Sequence, residues 1–183
     1  MIIGPKVSLR PLRVDDLKPL HASALDLEAR GPWNPLPGMP LGKFEAAFAE
    51  SGFWSRDEGV FAIVDRSDRM VGVVGWEKLN GDLPDFEIFY RLLEQANWGK
   101  GIATEALGLL AGWLFDSGQM NRLRANVHVD NKASRRVAEK SGFTQEATAR
   151  ASWYNRGRWH DVAVYTLTRD EFEERRQTAA TPA

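Results

Sequence analysis

Residues Trp98 to Thr104 read Trp-Gly-Lys-Gly-Ile-Ala-Thr and run straight into an apolar stretch, Glu105 to Phe115. A glycine-spaced turn that opens a helix makes an anion site. The first backbone N–H groups of a helix have no partner inside it, and they face the positive end of its dipole. The N–H groups of Trp98, Gly99, Lys100, Gly101, Ile102, Ala103 and Thr104 are the candidate cradle, with Gly99 and Gly101 allowing close approach. A phosphate is the ligand that such a cradle suits.

The surrounding pattern narrows the kind of phosphate. A dinucleotide fingerprint needs glycine where Thr104 stands, and a Walker loop needs a terminal Gly-Lys-Ser/Thr that the chain lacks. Downstream, Arg122, Arg124, Lys132, Arg135, Arg136 and Lys140 outnumber Asp130 and Glu139. Alone, that excess reads as a solvated basic face; beside a pyrophosphate cradle, it reads as a grip on a nucleotide's further phosphate.

The 183 residues carry 43% hydrophobic side chains, enough for the core of a single domain, taken as residues 1–176 with a disordered tail at 177–183. A net charge of −1 gives no general attraction to nucleic acid or to an anionic membrane. No apolar run is long enough to span a bilayer. The absence of cysteine excludes disulfides and thiolate catalysis and fits a cytoplasmic protein. His21, His128 and His160 lack the helical pairing of metal ligands, so no metal is expected.

These residues need elements to position them. Val7 to Leu12 alternates as a strand, and Asp15–Asp16 can cap a helix running to about Leu27, with Pro19 in its first turn. Arg30 to Gly42, with four prolines and three glycines, reads as loop, followed by a short helix at Lys43 to Ser51. Gly59 to Arg66, Met70 to Leu79 and Asp85 to Leu93 form an expected antiparallel meander around Ser67-Asp68-Arg69 and Asn80-Gly81-Asp82. A largely buried helix then runs to Gly118. Arg122 to Val129 reads as a strand and Lys132 to Lys140 as a helix closed by Gly142. Phe143 to Trp153 and Arg158 to Thr168 make a hairpin around Asn155-Arg156-Gly157, with a disordered tail after Arg175. The expected class is α+β: a mixed, mostly antiparallel sheet of about seven strands flanked by about four helices.

The stretch Asn97-Trp98-Gly99-Lys100-Gly101-Ile102-Ala103-Thr104-Glu105-Ala106 resembles motif A of the GNAT acetyltransferase superfamily. Asn131-Lys132-Ala133-Ser134 with Glu139-Lys140-Ser141-Gly142-Phe143 resembles a second element, found in the branch of ribosomal-protein N-terminal acetyltransferases. Leu9-Arg10-Pro11-Leu12 and Gly157, His160, Asp161 and Tyr165 extend the likeness over nearly the whole chain. Two departures stand out. Trp98 occupies a position usually held by Arg or Gln, and Ala138 occupies one where many relatives carry a tyrosine general acid.

The resemblance implies acetyl-CoA as co-substrate, with its pyrophosphate on residues 98–104, Arg136 among the basic residues near its further phosphate, and Asn131 at its pantetheine amides. It implies direct attack by an amine in a ternary complex, with Glu87 as base and Ser134 as donor to the departing sulfur. Glu87 can equally be an ion-paired sheet carboxylate, and Asn131 and Ser134 can simply cap a helix. A main-chain N–H near Leu92 or Leu93 is the implied oxyanion donor. Trp33, Trp153 and Tyr154 are the candidate acceptor walls, and Asp161 adds charge there or pairs with an arginine. The implied cargo is an acetyl or a longer acyl group, the implied acceptor is a primary amine on a protein N-terminus or a small molecule, and relatives often pair as homodimers. A non-catalytic acyl-CoA-binding module is the alternative.

Overall fold

The computed structural model describes residues 1–26, 28, 31–33, 39–79, 85–118 and 120–180. Its elements run β1 (Ile2–Ile3), β2 (Ser8–Pro11), α1 (Val14–Leu25), α2 (Leu41–Ser51), β3 (Glu58–Val64), β4 (Met70–Lys78) and β5 (Asp85–Leu92). A single 3₁₀ turn, Gln95–Asn97, leads to α3 (Ile102–Ser117), β6 (Arg122–His128), α4 (Lys132–Lys140), β7 (Thr144–Asn155), β8 (Arg158–Thr168) and α5 (Arg169–Ala180). The α+β expectation is met by one sheet of eight strands in the order β1-β2-β3-β4-β5-β6-β8-β7.

Every neighbouring pair in the sheet is antiparallel except β5 with β6. Two parallel strands need a crossover, and α3 supplies it, packing Ala106, Leu107, Leu110, Ala111 and Leu114 against the sheet to form the main core. A smaller core on the opposite face joins Leu12 and Leu20 to Ala62, Val64, Val73 and Leu93. No helix among the described residues is long and apolar enough to cross a membrane.

Several boundaries differ from the sequence reading. Strand β1 pairs only Ile2 and Ile3 with β2, too short a run for alternation to reveal. Helix α1 starts at Val14, which puts Pro19 in its second turn, and Asp16 accepts the N–H of Arg13 at 2.7 Å. Helix α5 continues through Ala180 where a tail was expected after Arg175, anchored by Phe172 on Phe115 with ring centroids 5.1 Å apart. The expected turn at Asn80-Gly81-Asp82, the end of the first helix at Leu27 and the middle of the proline-rich loop lie outside the described residues.

Candidate active site

The site begins where β5 and β6 part. Their ladder holds only Asp85↔Arg122, Phe86↔Leu123 and Glu87↔Arg124, although β5 runs on to Leu92 and β6 to His128. Beyond Glu87 the strands diverge, and two cavities occupy the wedge. One, of about 230 Å³, is lined by Gly31, Trp33, Tyr90, Leu92, Trp98, Gly99, Ala103, Asn131, Ser134 and Val137, among others. The other, of about 140 Å³, is lined by Trp33, Glu87, Phe89, Tyr90, Asn126, His128, Asn131, Ser134, Ala138 and Trp153, among others. Trp33, Tyr90, Asn131 and Ser134 belong to both, so the cavities meet at these four residues.

The predicted cradle lies at the mouth of the larger cavity. Gly101 caps α3 in the left-handed region (φ 79°), and Gly99 is left-handed as well (φ 73°), with open space where a Cβ would stand. Among the described residues the N–H groups of Gly99 to Thr104 have no partner within the chain, whereas that of Trp98 donates to Gln95 O at 2.9 Å. The unpartnered amides are therefore the six of residues 99–104, and Trp98 contributes its half-exposed ring to the cavity wall instead. Lys6 adds a cation that sequence spacing could not reveal. Its Nζ donates to Lys100 O at 3.1 Å, while the Lys6 and Val7 N–H groups donate to Glu105 Oε1 at 2.6 and 3.0 Å. Unpaired amides, a lysine and open space above Gly99 fit a diphosphate. Arg136 lies exposed on α4, away from both cavity linings.

Strand alternation separates the two candidate oxyanion donors. Leu93 N–H donates to Val71 O at 3.0 Å, so it faces β4 and is withdrawn from the wedge. Leu92, one residue earlier, directs its N–H to the opposite edge, toward the diverging β6. The Leu93 side chain is likewise buried in the smaller core.

Glu87 sits at the far end of the smaller cavity, where Asn126 Nδ2 donates to its Oε2 at 2.8 Å. Burial pushes the Glu87 carboxyl above its ordinary range; the bond from Asn126 opposes this, and the cross-strand charge of Glu77 adds to the rise. Arg124 pairs with Asp85 at 2.9 Å, and although its charge also acts on Glu87, among the described residues Glu87 makes no ion pair.

Asn131, not Ser134, caps α4. The Ser134 N–H donates to Asn131 Oδ1 at 3.1 Å, while the Ser134 hydroxyl lies at the junction of the cavities and accepts from Tyr90 at 2.9 Å. Burial raises the Tyr90 phenol above its usual value, so it stays protonated. Sequence reading missed Tyr90 because its partner lies 44 positions away.

The acceptor walls divide. Trp33 stacks on His128 with ring centroids 4.3 Å apart and is held by its neighbours: Asn155 Nδ2 donates to Pro32 O at 3.0 Å and Gln95 Nε2 to Glu28 O at 2.8 Å. Trp153 reaches the cavity because β7 gains extra residues there: the register steps from Ala149↔Val162 to Trp153↔His160. Ala151, left-handed at φ 47°, sits in that bulge, and its N–H donates to Asp161 Oδ1 at 2.9 Å. Asp161 thus anchors the bulge through Oδ1. Tyr154 is not a cavity wall; it is exposed and packs edge-on against Trp159 at the hairpin tip, 5.3 Å away. His128, also missed, accepts the N–H of Asp130 on Nδ1, and burial lowers its pKa, leaving a neutral ring on the cavity wall.

The family model described as acetyltransferase (GNAT) domain matches residues 6–144. The Bacillus subtilis protein named Probable N-acetyltransferase YjcK is 35% identical over 117 residues, 63% of each chain. The ribosomal-protein-serine acetyltransferase of Escherichia coli is 27% identical over 103 residues, 56% of this chain and 57% of that one. The chain therefore aligns with less than two thirds of the length of either relative. Among solved structures, the spermidine N-acetyltransferase of Vibrio cholerae in complex with CoA and spermine superposes with a TM-score of 0.82 at 19% identity, covering 93% of this chain and 99% of that one. Mycobacterium smegmatis RimJ in complex with CoA-disulfide gives 0.78 at 26% identity, with 96% and 93% covered.

Proposed function

This chain belongs to the GNAT acetyltransferase family, and from that membership we propose that it moves an acetyl group from acetyl-CoA to a primary amine by direct attack, both substrates bound at once. The observation that carries the reading is the meeting of the two cavities at Trp33, Tyr90, Asn131 and Ser134, with six unpartnered amides at one end and Glu87 at the other.

Residues 99–104 and Lys6 hold the diphosphate, Asn131 and the wedge edge of β5 hold the arm, and Leu92 N–H faces the reacting carbonyl. Acetyl-CoA supplies a thioester already reactive toward amines, so holding the two reactants in line accounts for much of the rate. An ammonium has no free electron pair, and Glu87 takes its proton. Its raised pKa suits a base working near neutrality, and Asn126 fixes which oxygen faces inward.

The smaller cavity, about 140 Å³, admits an amine and the few atoms beside it. It shares Phe89 with a third, mostly apolar cavity of about 430 Å³ under α1 and α2 that includes Phe44, Phe53, Val60, Glu58 and Glu77. That apolar neighbour supports an acceptor with an apolar stretch next to its amine, on a protein N-terminus or a polyamine. The similar proteins include acetyltransferases of both kinds by name.

The test is release of free thiol from acetyl-CoA over a panel of polyamines, small amines and peptides with free N-termini. Release with at least one amine is expected. Saturable CoA binding with no release across the panel would favour the non-catalytic binding module instead.

A further inference from the structure

Ser134 has one hydroxyl and three claims on its surroundings. The backbone N–H of Ser134 is fixed by Asn131, and its Oγ accepts the Tyr90 proton at 2.9 Å. A hydroxyl that accepts from one side must aim its own proton elsewhere. Among the described residues the Ser134 hydroxyl has no other hydrogen-bond partner, and Ser134 lines both cavities, so its proton is free to point to their junction. Ala138, one helical turn further along α4, also lines the smaller cavity and offers only a methyl group. Tyr90 reaches the junction from β5, on the opposite wall.

We propose that Tyr90 is a positioning residue for the reaction: by donating to Ser134 Oγ it turns the serine proton toward the departing sulfur, and the pair stabilises the thiolate as one unit. The inference rests on the acetyltransferase reading above. In the step concerned the carbon–sulfur bond breaks and its electron pair passes to sulfur. Glu87 holds the proton taken from the ammonium, the second nitrogen proton of the tetrahedral intermediate leaves to solvent as the amide forms, and the serine proton is shared with sulfur rather than given to it. Magnitudes favour sharing, since a thiol titrates at about 8.5 and a buried phenol above its usual value of about 10, so full transfer from Tyr90 through Ser134 runs uphill. A charge-assisted hydrogen bond needs no transfer.

The experiment reads the thiol directly and needs no acceptor. The ultraviolet absorbance of the thiolate of CoA bound to the full chain is titrated against pH in the unaltered protein, Tyr90→Phe, Ser134→Ala and the double variant. The bound thiol is expected to titrate about one unit below free CoA in the unaltered protein, a tenfold stabilisation of the thiolate. Tyr90→Phe should return most of that shift, and the double variant should go no further than Ser134→Ala alone, as for residues acting as a unit. With an acceptor from the panel, Tyr90→Phe should lower kcat about tenfold and leave the KM for acetyl-CoA unchanged.

Equal bound-thiol titration in the unaltered protein and Tyr90→Phe would overturn the proposal, as would additive shifts in the double variant. If Tyr90→Phe folds poorly, an unmoved titration in Ser134→Ala, which deletes a single helix hydroxyl, overturns it equally. Failure of the unaltered protein to bind CoA is a separate outcome, which removes the acetyltransferase reading and this inference together.

Discussion

A carboxylate that must take a proton from an amine gains from being difficult to ionise, and Glu87 is held in that state by burial first and by Glu77 across the strand second. Glu87→Gln should lower turnover by about 100-fold, the usual order for a lost base, with CoA affinity unchanged by calorimetry; full turnover at saturating substrates would remove Glu87 from the mechanism. Glu77→Gln removes a charge that raises the Glu87 pKa, so the acidic limb of the rate–pH profile should shift to lower pH. An unmoved limb would mean that another group titrates there. Of these residues, Glu87 and Ser134 were named from the sequence through the strand and motif positions that carry the family resemblance. Tyr90, Asn126 and Lys6 were not, since each acts on a residue 39 to 94 positions away that only the folded sheet brings near.

At the scale of elements, the anion site depends on how α3 begins. Gly101 caps the helix at φ 79°, and a Cβ there would stand 3.0 Å from Lys6 Nζ. Gly101→Val would force a β-branched residue into the left-handed region at roughly 1–2 kcal/mol and crowd the lysine. CoA binding by calorimetry should be lost while most of the fold stability remains; normal binding would move the cradle elsewhere. The turn was readable because glycine spacing before an apolar helix is a short-range signal. The bulge at Ala151 was not, because it is set by the Asp161 carboxylate on the neighbouring strand rather than by any glycine. Without its two extra residues β7 would set Trp153 opposite Arg158 instead of His160, two positions along from the cavity it lines. Helix α5 was hidden for a related reason: its mostly charged sequence reads as solvated tail until Phe172 finds Phe115.

Over the whole molecule, the active wedge requires the two halves of the sheet to part, so each half must be held by other means. The N-terminal half is locked by Arg10, whose guanidinium donates to both Asp16 oxygens at 2.6 and 3.0 Å and to Asp68 at 3.0 Å, joining β2, α1 and the β3–β4 turn. Arg10 and Asp16 are both buried, 5% and 7% exposed. Burial pushes the Asp16 carboxyl up, but the bonds from Arg10 and the Arg13 N–H outweigh it and hold the group below its ordinary value. A carboxylate depressed in the folded state stabilises fully above its unfolded pKa of about 3.9, and that stability is lost as pH falls through the lower folded value. Asp16→Asn strips the buried guanidinium of its main counter-charge and should cost about 3–5 kcal/mol at neutral pH. The variant should also lose part of the acid sensitivity below about pH 4, because the group that titrates there is gone. Urea unfolding of both proteins at pH 7 and pH 3 measures this directly. The gap between them should be wide at neutral pH and narrower in acid, and a gap that is constant across pH would mean that Asp16 contributes by shape and not by charge.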